Sequence, residues 1–153
     1  LLTLPRKERM TLTRQPLAVG LRRSQRWHEA QPNRRYYGRS GSWSSGPLPA
    51  SQIPDGTFNG VWTIRQIRTG GELAAEGREL RHCVATYWSS VMARQCAIFS
   101  LRQDGVRRIT VEVRLASASI VQARGLCNRR PTSAERGILA QWADENRLTL
   151  RST

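Results

Sequence analysis

Residues 96–124 read CAIFSLRQDGVRRITVEVRLASASIVQAR, and the register of this stretch decides the fold. Ile109, Val111, Val113 and Leu115 alternate with Thr110, Glu112 and Arg114. Successive side chains of a strand point to opposite faces, so one face here is apolar and the other polar. Val106–Leu115 is therefore expected as a strand, with Cys96–Arg102 before it and Ile120–Arg124 after it. Val121 and Ala123 must share the apolar face, and a turn centred on Ser117 achieves this by setting Glu112 opposite Gln122 and Thr110 opposite Arg124. A one-residue slip would send both to the polar side. At the earlier turn, a three-residue Gln103-Asp104-Gly105 loop with Gly105 left-handed places Phe99 and Leu101 on the face of Ile109. A two-residue Asp104-Gly105 loop would place them on the polar face, so the longer loop is expected. The outcome is a polar cluster of Thr110, Glu112, Gln122 and Arg124 on one sheet face, with Arg102 or Arg114 near it.

Working toward the N-terminus, Leu73, Gly77, Leu80, Val84, Tyr87 and Val91 recur at steps of four and three, a helical stripe with a weak point at Gly77. Val61–Ile67 reads as a short strand. Toward the C-terminus, Thr132-Ser133-Ala134-Glu135 is a capping box that opens a helix burying Ile138, Leu139 and Trp142, and Leu148 and Leu150 suggest a terminal strand. The expected fold class is α+β, an antiparallel three- to four-stranded meander packed against two or three helices, with a basic N-terminal extension. The domain reading is 1–37, an Arg-rich aromatic extension in which Pro16 starts a helix; 38–57, a Gly/Ser/Pro-rich linker; and 58–153, the folded domain. The chain starts Leu1-Leu2-Thr3 without Met, which reads as part of a longer protein.

Composition narrows the function classes. The 153 residues carry a formal charge of +14, and Lys7 is the single lysine among 25 basic residues. Such a field attracts polyanions, and arginine adds planar, bidentate contacts to phosphate. No apolar run approaches the roughly 20 residues that span a bilayer, and no basic helix with a broad apolar face stands out. Nucleic acid is thus the expected partner rather than a membrane. The three cysteines, Cys83, Cys96 and Cys127, are too few and too scattered for a disulfide framework, which favours a reducing, cytoplasmic setting. Cys83 is expected to be a small core residue, and Cys96 and Cys127 are expected to pack in or beside strands. No cofactor is expected. Metal binding is disfavoured because neither His82 nor Cys83 has a His or Cys partner two to four residues away, unlike a structural zinc site.

Arg22, Arg23, Arg26, Trp27, Arg34, Arg35, Tyr36 and Tyr37 are candidate phosphate and base-stacking contacts. His82 is expected off the buried stripe, oriented by Glu79 one turn earlier, and is the candidate for proton transfer.

These blocks together resemble the PcfJ-like proteins. Glu72-Leu73, Glu76-Gly77, Leu80, His82-Cys83-Val84 and Tyr87 are similar to that family's N-terminal block. Ile98–Arg102 and Ile109–Val113 resemble its central strands, and Val121-Gln122-Ala123-Arg124-Gly125 with Asn128 resembles its closing motif. The resemblance covers roughly residues 58–150. It implies a bacterial mobile element engaged in DNA transfer or plasmid maintenance, and a site at His82, Glu112, Gln122, Arg124 and Asn128. It implies no reaction.

The leading expectation is a nucleic-acid-binding module in which Thr110, Gln122, Arg124 and Asn128 join the N-terminal residues as contacts, and residues 1–57 also meet other proteins of a larger complex. The alternative is a metal-independent nuclease acting on RNA. There His82 would be the acid or base, Arg124 would stabilise the charged phosphorus centre, and Glu112 or Gln122 would orient the attacking hydroxyl. A third reading is ADP-ribosyl transfer, with Glu112 activating a ribose hydroxyl.

Overall fold

A computed structural model describes residues 41–43, 51–53 and 60–151. Arg22, Arg23, Arg26, Trp27, Arg34, Arg35, Tyr36 and Tyr37, the expected Pro16 helix and most of the expected linker lie outside the described residues.

The chain forms an α+β fold. Its elements run β1 (Ser51–Ile53), β2 (Trp62–Gln66), α1 (Gly70–Glu79), a 3-10 turn (Val84–Tyr87), α2 (Trp88–Met92), β3 (Cys96–Gln103), β4 (Val106–Arg114) and β5 (Ser119–Gly125). A second 3-10 turn (Leu126–Asn128), α3 (Ser133–Glu145) and β6 (Thr149–Leu150) follow. The strands lie side by side in chain order in one six-stranded sheet. β1 to β5 are antiparallel to their neighbours, whereas β6 runs parallel to β5. The sheet is therefore larger than the expected three or four strands, and mixed. Leu148 and Leu150 do mark a final strand, but α3 stands between it and β5. A helical crossover returns the chain in the same direction, where a tight hairpin would reverse it.

Residues 96–124 adopt the strands expected of them. Thr110 pairs with Arg124, Glu112 with Gln122 and Leu101 with Ile109. Two details differ. The β3–β4 turn holds two residues, Asp104 and Gly105, at φ 50° and 80°. Both values are left-handed, as the favoured two-residue hairpin turn requires. A register shift beyond Leu101 adds one residue on β4, pairing Arg102 with Arg107, and so restores the parity that the shorter turn would have broken. A second shift lies between Glu112 and Val113. It takes Ile120 into the core in place of Val121, which is only half-buried.

Both sheet faces are covered. Phe99, Leu101, Ile109, Val111 and Ala123 pack on Ile138, Leu139 and Trp142 of α3. The rings of Phe99 and Trp142 meet at 4.9 Å and 58°, a tilted pair worth about 0.5–1.5 kcal/mol beyond area burial. On the other face Cys96 and Ile98 pack with Ile67, Leu73, Val84 and Val91. Trp43 leans on this second cluster and donates from Nε1 to the Ile67 carbonyl at 2.8 Å. The expected capping box starts α3, with Thr132 capping Glu135 and Glu135 reaching back to the Thr132 N–H.

α1 ends after Glu79, not at Gly77. Arg81 turns left-handed at φ 51°, and the His82 N–H returns to the Gly77 carbonyl at 3.1 Å. This is a Schellman closure with arginine where glycine is usual. A Cβ on Gly77 would lie 3.0 Å from the His82 carbonyl oxygen and 3.3 Å from Val84 Cγ1, so the missing side chain admits the returning backbone.

Gly77→Val is expected to lower stability by about 1–3 kcal/mol through overpacking, although glycine is the poorer helix former. Arg81→Gly is expected to raise it by about 0.5–1 kcal/mol by relieving the left-handed residue. Denaturant unfolding of both variants checks the signs, and a stabilised Gly77→Val would contradict the close approach.

Candidate functional site

Strand pairing sets Arg65, Ser100, Thr110 and Arg124 side by side across β2, β3, β4 and β5. Glu76 of α1 comes down on the middle of this row. Its Oε2 accepts from Ser100 Oγ at 2.9 Å and from Arg107 Nε at 2.8 Å, and its Oε1 accepts from Thr110 Oγ1 at 2.9 Å. The carboxylate is fully buried. Arg107 also pairs with Glu79, so one guanidinium joins two turns of α1 to β4.

The Schellman closure then delivers His82 to the same row. Its Nε2 lies 2.8 Å from Thr110 Oγ1. A hydroxyl has one proton to donate. When Thr110 gives that proton to Glu76, it receives one from His82, and Nε2 carries the hydrogen. Burial pushes the Glu76 carboxyl above its ordinary range, against the opposing pull of Ser100, Thr110 and Arg107. Arg107 can only donate, so a proton on Glu76 belongs on Oε1, facing Thr110.

A cavity of about 210 Å³ opens beside this contact. Thr110, Glu112, Gln122 and Arg124 form its sheet wall. His82, Cys83 and Tyr87 of the segment after α1 line it too, with Asn128 from the turn after β5. The Tyr87 hydroxyl donates to Gln122 Oε1 at 2.8 Å, which fixes the carbonyl end of that amide. Burial, and then the neighbouring Glu112, push the Tyr87 phenol up to about 12, so it remains a donor at neutral pH. The same two causes push the Cys96 thiol up to about 11. Arg124 donates to the Ala123 carbonyl at 3.0 Å and stays half-exposed.

The structure thus brings His82, Thr110, Glu112, Gln122, Arg124 and Asn128 around one cavity. Several expectations need correction. His82 is buried, at 6% exposure, because the closure after α1 turns it inward. Glu79 pairs with Arg107, and the imidazole's Nε2 meets Thr110. Cys83 is exposed rather than in the core, since the helix has ended before it. Cys127 is also exposed, on a left-handed turn at φ 54°, and only Cys96 packs. Arg102 bonds Ser100 Oγ at 3.2 Å, Arg114 is exposed, and neither lines the cavity.

Glu76 and Arg107 escaped the sequence reading. Glu76 lies three residues after Leu73 and four before Leu80, inside the arc that those apolar positions bury. A carboxylate at such a position requires partners, and that was the signal available. Among the described residues, no group of three or more His, Cys, Asp or Glu side chains is placed to hold a metal ion, and no helix is long and apolar enough to cross a membrane.

A family model described as PcfJ-like protein matches residues 52–139, which takes in β2 to β5, the whole cavity lining and the start of α3. No curated protein and no solved structure matches the chain.

Glu76 makes stability depend on pH in a defined direction. Its folded-state pKa is raised, so its stabilising contribution is complete below the ordinary carboxylate value and is lost as pH rises through the folded value. The difference in unfolding free energy between wild type and Glu76→Gln is expected to fall across that window and then level off. Chemical denaturation of both proteins along a pH series tests this, and a difference that grows with pH would reverse the assignment.

Proposed function

We propose that this chain, which belongs to the PcfJ-like protein family, is a nucleic-acid-binding domain that holds one phosphate-bearing nucleotide in the cavity beside His82. The observation that carries this reading is the convergence of Arg124, Gln122, Asn128 and Tyr87 on one small concave surface. Arg124 supplies a guanidinium for a phosphate oxygen, and the Gln122 and Asn128 amides supply donors and acceptors for a base edge. Flanking phosphates meet the rest of a chain that carries +14, through the arginines and aromatic residues of 1–37. The setting proposed from the family is a cytoplasmic protein of a bacterial mobile element, working in DNA transfer or plasmid maintenance, with residues 1–57 meeting other proteins of a complex.

A second reading is a metal-independent nuclease acting on RNA. The observation favouring it is the imidazole of His82 held on the cavity wall by Thr110. Here His82 moves the proton, Arg124 stabilises the charge at phosphorus and Glu112 orients the attacking hydroxyl.

Labelled single- and double-stranded RNA and DNA, followed by anisotropy and by gel in the same samples, separate the two. Arg124→Ala is expected to weaken binding by about 10- to 150-fold, the cost of one charge-assisted phosphate contact. Wild-type affinity is expected to fall steeply between low and moderate salt. Salt-insensitive binding, or none, overturns the binding reading; cleavage lost in His82→Ala with binding retained establishes the second.

A further inference from the structure

Glu76, Thr110 and His82 form an unbroken hydrogen-bonded chain from a fully buried carboxylate to the cavity wall, with links of 2.9 Å and 2.8 Å. The chain has two arrangements. With Glu76 ionised, Thr110 donates to Oε1 and accepts Nε2–H from His82. With the proton on Oε1, Glu76 donates to Thr110, and Thr110 donates to a bare Nε2. With an imidazolium in the first and a neutral Nδ1–H imidazole in the second, the two differ by one proton moved from imidazolium to carboxyl and one rotated hydroxyl, with no heavy atom displaced. With a neutral Nε2–H imidazole, the first carries one proton fewer than the second. Oε2 takes no part in the switch, because Ser100 and Arg107 already donate to it.

We propose that Glu76 and Thr110 are positioning residues that set the tautomer and charge of His82, so that the cavity takes up a proton from solvent as it binds a phosphate-bearing nucleotide. The ligand in this inference rests on the nucleotide-binding reading above; the relay itself does not. An anionic phosphate beside His82 favours the imidazolium, in which both ring nitrogens carry hydrogen. Only the arrangement with ionised Glu76 accepts a hydrogen from Nε2. Ligand binding therefore holds the relay in that arrangement. With Glu76 already ionised and the imidazole neutral, as expected for wild type at pH 8, the second ring hydrogen is the one proton taken from solvent.

The charges around the relay are consistent with both arrangements. Arg107 on β4 and Arg102 on β3 face Glu76 from the sheet, with Glu79 one turn along α1. On the cavity side, His82 shares the walls with Glu112, Arg124, Tyr87 and Cys83. Burial raises the Glu76 pKa against the pull of Ser100, Thr110 and Arg107.

Two substitutions break the relay in different ways. In Glu76→Gln the amide oxygen still accepts from Ser100 and Arg107, but the amide NH2 now faces Thr110. Thr110 must then donate to Nε2, and His82 is locked with its hydrogen on Nδ1. Thr110→Val keeps the shape and removes the hydroxyl; Thr110→Ser keeps the hydroxyl.

The experiment is a long-range proton–nitrogen NMR spectrum of the full chain at pH 8. The chain has two histidines, His28 and His82, so His28→Gln assigns the signals. Wild type and Thr110→Ser are expected to show the neutral Nε2–H form, and Glu76→Gln the Nδ1–H form. Thr110→Val is expected to weaken the Nε2–H preference. The same form in all four proteins overturns the relay. Calorimetry with a 5′-phosphorylated dinucleotide, in two buffers of different ionisation enthalpy, reads the coupling. Wild type and Thr110→Ser are expected to take up protons on binding, and Glu76→Gln to bind about tenfold more weakly with no uptake. Uptake unchanged in Glu76→Gln overturns the coupling. A wild type that binds nothing, while His82 still switches form, overturns the nucleotide reading and the coupling and leaves the relay standing.

Discussion

The burial of one carboxylate organises this domain. Glu76 has no exposure to water, so every lone pair it presents must meet a donor or cost stability. Its donors come from two neighbouring strands, Ser100 on β3 and Arg107 and Thr110 on β4. α1 can satisfy the carboxylate at only one position along and around its own axis. That position brings Gly77 against the returning backbone, places the left-handed Arg81 beyond the helix end and sets His82 over Thr110. An apolar residue at 76 could leave stability unchanged or raise it, since buried ion pairs often gain little net energy. What the carboxylate adds is a single register for the helix, and with it a defined place for the imidazole.

Much of the sheet was legible because a strand has a strict period. The alternation in Ile109–Leu115 set Glu112 against Gln122 and Thr110 against Arg124, and the cavity wall follows from those pairings. The capping box was equally direct, because both of its bonds are local. The misread parts depend on one residue inserted or one helix ended. The register shift beyond Leu101 left the core face unchanged while shortening the turn, so two errors of one residue cancelled. The end of α1 carried no glycine at the left-handed position, where Arg81 stands, and Gly77 drew attention to the wrong place. His82 and Cys83 were assigned environments by extending a helix that had already stopped. Glu76 needed knowledge of which strands pass beneath it, and no local pattern contains that.

The second buried glutamate shows how burial alone leaves a role undecided. Glu135 accepts from both terminal nitrogens of Arg129, at 2.7 Å and 2.6 Å, and from the Thr132 N–H at 2.7 Å. Burial alone would raise its pKa, but the Arg129 and Thr132 contacts outweigh it and hold the carboxyl below its ordinary range. Every contact there comes from within a few residues of the helix start, or from Arg108, and none reaches the cavity. That arrangement closes a loop. Glu76 differs because two of its donors are hydroxyls, which can give or receive a hydrogen, and one of them, Thr110, also meets His82. A guanidinium or a backbone N–H would tie the carboxylate down without transmitting its state to anything else.

The charge of the cavity bears on what it accepts. A surface built only to hold backbone phosphates gains nothing from a carboxylate, yet Glu112 stands on the same wall as Arg124. On the proposed reading, the +14 of the whole chain supplies the non-specific attraction, a contribution that falls with salt and carries no sequence information. On that same reading, a carboxylate beside a guanidinium disfavours a bare polyanion and suits a ligand presenting an anion at one end and hydrogen-bond donors at the other. A nucleotide has that form, with its phosphate at one end and the exocyclic amine or ring N–H of its base at the other. Tyr87 would add to this selectivity. Its phenol is spent on Gln122, which fixes the amide's carbonyl and leaves the NH2 as the end that can meet a ligand. On the proposed reading, the arginine-rich surface brings the polymer to the domain and the cavity chooses which of its residues enters.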